Sequence, residues 1–164
     1  MTTPATQVDD DLTVFVDASA ALTGIDAKLL RPQPVDAHGT AQTYLDTVRA
    51  NDPAGLDELL RLYRDNSATL KRNEIAKLIM ASDVKLLGRS IIALWYLASW
   101  YQPAALVEPP MFAKFVTISA DAYTQSWIWR IAQSHPMGYS EWDFGYWTKD
   151  PRPLTDFIGA GTDL

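Results

Sequence analysis

His38 and His135 are the only imidazoles in a chain of 164 residues that contains no cysteine. Acid–base or nucleophilic chemistry near neutral pH draws first on imidazole and thiol groups, so the reactive inventory is short. His38 precedes Gly39 in a helix-start region and His135 precedes Pro136 in a turn, where a surface or capping histidine is the simpler reading. The missing thiols remove disulfides, thiolate nucleophiles, iron–sulfur clusters, c-type haem attachment and cysteine zinc sites. The eight glycines never fall into G-x-G-x-x-G or a Walker loop, and Gly159-Ala160-Gly161 leaves no room for a following helix and strand, so a dinucleotide-binding fold for FAD or NAD is not expected. Asp9-Asp10-Asp11 and Asp57-Glu58 are sequence neighbours, which reads as solvated helix-start charge and not as a catalytic carboxylate pair.

Aromatic side chains are the more distinctive resource. Five of the nine residues from Tyr139 to Trp147 are aromatic, with Gly138 before them, Gly145 near their end and Pro151 after them, which argues for a turn-rich segment. Three readings of it stay open: a lid over the chain's own core, a docking segment for another subunit, or a sugar-stacking platform with Glu141 and Asp143 nearby. Trp95 reads as core filling. Trp100-Tyr101 at a helix end, and one of Trp127 and Trp129, are expected to point outwards, because helix neighbours two apart lie about 200° apart. The candidate partner-facing set is Trp95, Tyr96, Trp100, Tyr139, Trp142, Tyr146 and Trp147; no catalytic, cofactor-binding or metal-binding residue is assigned.

The elements that position these rings follow from spacing and caps. The aspartates at 9–11 open an amphipathic stretch through Leu12, Phe15, Val16, Ala20 and Leu22 that stops at Gly24. Pro32 and Pro34 enforce extended backbone before a second helix over about 36–49, and Asp52-Pro53 supplies a cap and a first-turn proline for a third through Leu56, Leu59, Leu60 and Tyr63. A fourth helix is expected from Asn73 to about Ser82. The main core helix follows, capped by Asp83, carrying Leu87, Ile91, Leu94 and Trp95 inward and closed by Gln102-Pro103. A loop over 103–110, an undecided short run over 115–118 and a last helix over 120–133 complete the series. This predicts an all-α, compact domain of five or six helices over 12–158, with an irregular aromatic C-terminal segment, a flexible polar leader over 1–11 and a tail over 159–164.

Charge narrows the partners. Fourteen Lys and Arg against twenty Asp and Glu give a net charge of −6, which repels nucleic-acid phosphates and anionic lipid headgroups. The apolar run 91–101 is about half the roughly 20 residues a membrane span needs, so no membrane insertion is expected. The first eleven residues read as free of an export signal, which implies a cytoplasmic setting unless a leader was removed or a partner carries one.

Three motifs in order resemble the small, gamma-type accessory subunit that accompanies bacterial FAD-dependent sorbitol, fructose and glucose dehydrogenases. They are Phe15, Ser19 and Leu22-Thr23-Gly24; then Trp95-Tyr96-Leu97, with Ala98 where the family has glycine; then Gly145-Tyr146-Trp147-Thr148-Lys149-Asp150-Pro151. The resemblance covers roughly residues 12–151. It departs at Tyr123, followed here by Ser126-Trp127 where the family has Ala-Leu, and in the absence of the family's twin-arginine leader. It implies a non-catalytic subunit that supports folding, stability and export of a large glucose-methanol-choline type subunit holding FAD. In some complexes a multihaem cytochrome c joins. Two other readings stay open: a free-standing carbohydrate-binding module using Tyr139–Trp147, and a small enzyme using His38 or His135.

Overall fold

A computed structural model describes residues 4–32, 38–107, 115–136, 138, 148–150, 153 and 155–158. It is mostly helical, with one two-stranded sheet among the described residues, and the all-α expectation holds.

Helix α1 spans Pro4–Thr23 and so begins within the expected polar leader. A short α2, Ala27–Leu30, follows; it was not anticipated, although its cap is ordinary, the Asp26 carboxylate accepting from Lys28 N at 2.9 Å. Helices α3 (Thr40–Asn51) and α4 (Pro53–Asn66) come next, α3 starting four residues later than the expected Asp36, which lies outside the described residues. At the α3–α4 corner Asp52 accepts from Gly55 N at 2.9 Å and Pro53 occupies the first turn, as its sequence predicts.

The acidic run ties α1 to both of these helices. Asp11 accepts from Arg49 of α3 at 3.0 Å, and Asp10 and Asp11 together accept from Arg64 of α4. Exposed pairs of this kind contribute about 0–1 kcal/mol each, so their effect is on register more than on stability.

Helix α5 (Arg72–Ala81) opens with Glu74 reaching back to Lys71 N at 2.9 Å, and α6 (Lys85–Leu97) buries Leu87, Ile91, Leu94 and Trp95. Asp83 does not cap it. Val84 is the N-cap, with no side-chain cap bond; its N–H donates to the Ser82 hydroxyl at 3.3 Å, and Asp83 is exposed. Helix α6 also ends five residues before Gln102. Ala98 takes a left-handed conformation (φ 50°, ψ 35°) while its N–H closes on Leu94 O, and the chain leaves as strand β1, Ser99–Tyr101.

A 3₁₀ turn, Pro103–Val107, follows, and β2, Phe115–Thr117, returns antiparallel to β1 with Trp100 opposite Val116. The undecided run over 115–118 is thus a strand because β1 offers it a ladder. The expected single helix over 120–133 is two pieces, α7 (Ala120–Gln125) and α8 (Trp127–Ile131), broken where Ser126 is extended (φ −62°, ψ 144°). Near the end of the chain α9 (Thr155–Ile158) docks against α2, with Asp26 N donating to Phe157 O at 3.1 Å.

Helix α1 contacts α2, α3, α4, α5 and α6, so the core forms around it. Phe15, Ala18 and Ala20 are buried to 1% exposure or less and meet Tyr44 and Leu45 of α3, Leu59 of α4, Ile79 of α5 and Ile91 and Leu94 of α6 in one apolar cluster.

Two outcomes follow from these positions. A left-handed alanine costs about 1–2 kcal/mol, which offsets what a glycine loses in methyl burial and chain freedom. Ala98→Gly is therefore expected to change the unfolding free energy by less than about 1 kcal/mol, whereas Ala18→Gly, inside α1, costs about 1–2 kcal/mol in denaturant melts. The second concerns Asp17, half-buried on α1, whose carboxyl is raised above its ordinary 3.8 by burial, partly offset by Arg72. The folded chain holds that proton more tightly than the unfolded chain, so stability falls as pH rises through and above 3.8. Asp17→Asn should raise the Tm at neutral pH, and the gain should vanish below the ordinary value.

Candidate functional site

The partner-facing set divides sharply. Trp95, in the last turn of α6, is 1% exposed and meets Tyr44 edge-on at 4.8 Å between ring centroids. Trp100 is 4% exposed, so its outward expectation is corrected: the turn at Ala98 ends the helix and puts it on a strand whose first two residues, Ser99 and Trp100, are buried. Neither indole N–H has an acceptor among the described residues. Both rings are covered by their own chain and present no surface to a partner. Tyr139, Trp142, Tyr146 and Trp147 lie outside the described residues. Of the pair Trp127 and Trp129, the first is buried against Phe157 at 6.3 Å and the second is half-buried, its Nε1 donating to Tyr123 O at 2.9 Å.

Tyr96 is the member with a defined polar task. Its half-buried hydroxyl, raised in pKa by burial, donates to Thr23 O at 3.0 Å, across 73 positions of sequence. Thr23 is at the same time the last residue of α1; its own hydroxyl donates to Ser19 O at 2.7 Å and accepts from Ile25 N, and Gly24 beyond it is left-handed (φ 76°). The Leu22-Thr23-Gly24 and Trp95-Tyr96-Leu97 motifs are therefore one contact in the folded chain.

Large apolar side chains do reach solvent elsewhere. Phe115 is 56% exposed, Val116 65% and Leu97 40%, all at the β1–β2 pair and the end of α6. Sequence reasoning passed over Phe115 and Val116 because a run of four residues cannot set its own period; the β-branched Val116 and Thr117 were the available signal.

The polar chemistry of the chain gathers at a second place. His38 Nδ1 lies 3.2 Å from Asp121 Oδ2, at the mouth of a cavity of about 60 Å³ walled by His38, Thr40, Tyr44, Trp95, Gln125 and Arg130 among others. Burial, and then the Asp121 carboxylate, push the Tyr44 phenol up. Arg130 stacks over the Trp127 ring at 4.8 Å and donates to Gln125 Oε1 at 3.0 Å. A carboxylate–imidazole pair becomes a catalytic relay when a nucleophile is bonded to the second ring nitrogen, and among the described residues no hydroxyl bonds His38 Nε2. The cavity admits a few heavy atoms, since one water needs about 10–15 Å³. His135, the other imidazole, sits with Nδ1 3.0 Å from Pro136 O. Among the described residues no three metal-ligating side chains converge, and no helix is long and apolar enough to cross a membrane.

Comparison with protein-family models, with curated proteins and with solved structures gives no match.

Removing the Tyr96 hydroxyl strands Thr23 O at the end of α1. Tyr96→Phe is expected to cost about 1 kcal/mol in denaturant unfolding, with amide exchange at Gly24 and Ile25 accelerating before that of α4.

Proposed function

We propose that this chain is the non-catalytic small subunit of a FAD-dependent sugar or polyol dehydrogenase complex. In that complex it supports the folding and stability of a large glucose-methanol-choline type subunit that holds the FAD. The observation that carries the reading is the contact between two of its three motifs: Tyr96 donates to Thr23 O, so residues that resemble the family in sequence also depend on one another in space. The position that carries glycine in the family is Ala98 here, and its backbone is left-handed, the conformation for which glycine is the usual choice.

A further feature supports it: Phe115 and Val116 leave large apolar side chains exposed on β2, and apolar surface left in solvent is what a subunit interface shows when its partner is removed. On this reading the oxidation of the sugar or polyol hydroxyl belongs to the partner, and a multihaem cytochrome c that accepts the electrons would contact the partner as well.

Affinity purification of the full chain from its native host tests the proposal, with the eluate read by flavin absorbance and mass spectrometry. Recovery of a roughly stoichiometric flavoprotein oxidoreductase is the expected result. A colourless chain recovered alone under conditions that preserve complexes would overturn it.

A further inference from the structure

Backbone alternation shows which side of β2 is open. Ile118 N donates to Ala98 O at 3.0 Å, and these two residues lie directly opposite in the antiparallel register. In such a ladder hydrogen-bonded and non-hydrogen-bonded pairs alternate, so Trp100–Val116 is a bonded pair while Ser99–Thr117 and Tyr101–Phe115 are not. The 5.3 Å approach of the Tyr101 and Phe115 rings fits the closer side-chain spacing of a non-bonded pair.

The N–H and C=O groups of Phe115 and Thr117 therefore point away from β1. On the far side of β1 the equivalent group is covered, Tyr101 O accepting from Ser90 Oγ of α6 at 2.7 Å. On the far side of β2, among the described residues, nothing accepts from or donates to Phe115 or Thr117, and all three residues of the strand are exposed. An apolar edge of this kind, without charge or proline on the strand to block it, is a template for another strand.

We infer that the open edge of β2 docks an extended, apolar segment of the large subunit, adding a third strand to the β1–β2 sheet. The inference rests on the accessory-subunit reading. The unpaired backbone groups require an extended occupant, which a helix cannot provide. Phe115 on one face and Val116 on the other require apolar residues beside them. A second copy of this chain could also pair about Val116. However, a three-residue strand covers only a small part of the roughly 1,200–2,000 Å² that a stable interface needs, and two copies at −6 each repel. The strand must come from a partner that is also held elsewhere.

Amide exchange at single-residue resolution, on the full chain alone and in the complex from its native host, tests this, together with Thr117→Pro. That substitution removes an outward N–H and leaves the β1 ladder intact, whereas Thr117→Val keeps the N–H. Expected are open amides at Phe115 and Thr117 in the free chain, at least about tenfold slower exchange in the complex, and loss of flavoprotein recovery with Thr117→Pro but not with Thr117→Val. Co-purification of the flavoprotein with these amides still open would overturn the edge inference and leave the accessory reading standing. Protection in a concentrated free chain that sediments as a dimer would overturn it in favour of a second copy. No flavoprotein and no protection would remove both.

Discussion

Burying helix α1 is the constraint on which the other elements depend. Its inward residues meet five other helices, and no one of these could cover that surface alone. A helix surrounded in this way sets the angles of its neighbours, because each must lay its own apolar stripe on a different part of the same cylinder. Asp10 and Asp11 then act at its rim: bonds to Arg49 and Arg64 fix which part of α1 faces the α3–α4 corner. The half-buried Asp17 shows the opposite case, a carboxylate on the same helix whose ionised form burial disfavours.

The end of α6 is the second point from which structure follows. A helix of apolar residues continuing to Gln102 would have carried Trp100 and Tyr101 around to solvent. One left-handed residue at Ala98 turns the chain into a strand instead, buries Trp100, and creates the ladder that β2 needs. The Tyr96 hydroxyl, two residues earlier, locks the same end of α6 onto the end of α1. Exposed Leu97, Phe115 and Val116 are thus consequences of a backbone conformation, and the proposed partner surface lies where that conformation leaves a sheet edge open.

The polar side chains tell a different story about long-range order. His38 and Asp121 are 83 positions apart, and neither carries a local motif. They meet because α3 and α7 both flank the cavity beside Tyr44. Aromatic density, by contrast, was visible at once, but it did not separate rings that fill the core from rings that face outward. Trp95 and Trp100 both lie in the core, although the sequence suggested that one faces inward and the other outward.

Helix existence was legible because it rests on near-neighbour physics: apolar positions three and four apart, the Asp52-Pro53 cap, the reach of Glu74 to Lys71, and glycine after Thr23. Net charge and the absence of cysteine likewise come from the chain alone. What required the folded chain were the features set by contacts between distant segments. The break at Ser126, the strand at 115–117 and the burial of Trp100 each depend on a ladder or a packing surface supplied from elsewhere. A short segment has too few residues to outvote such a surface, because its intrinsic preferences amount to a few tenths of a kcal/mol per residue while burial of one large side chain contributes about 1.5–3 kcal/mol. Tertiary structure therefore decided the short elements and the open edge, and local sequence decided the long helices.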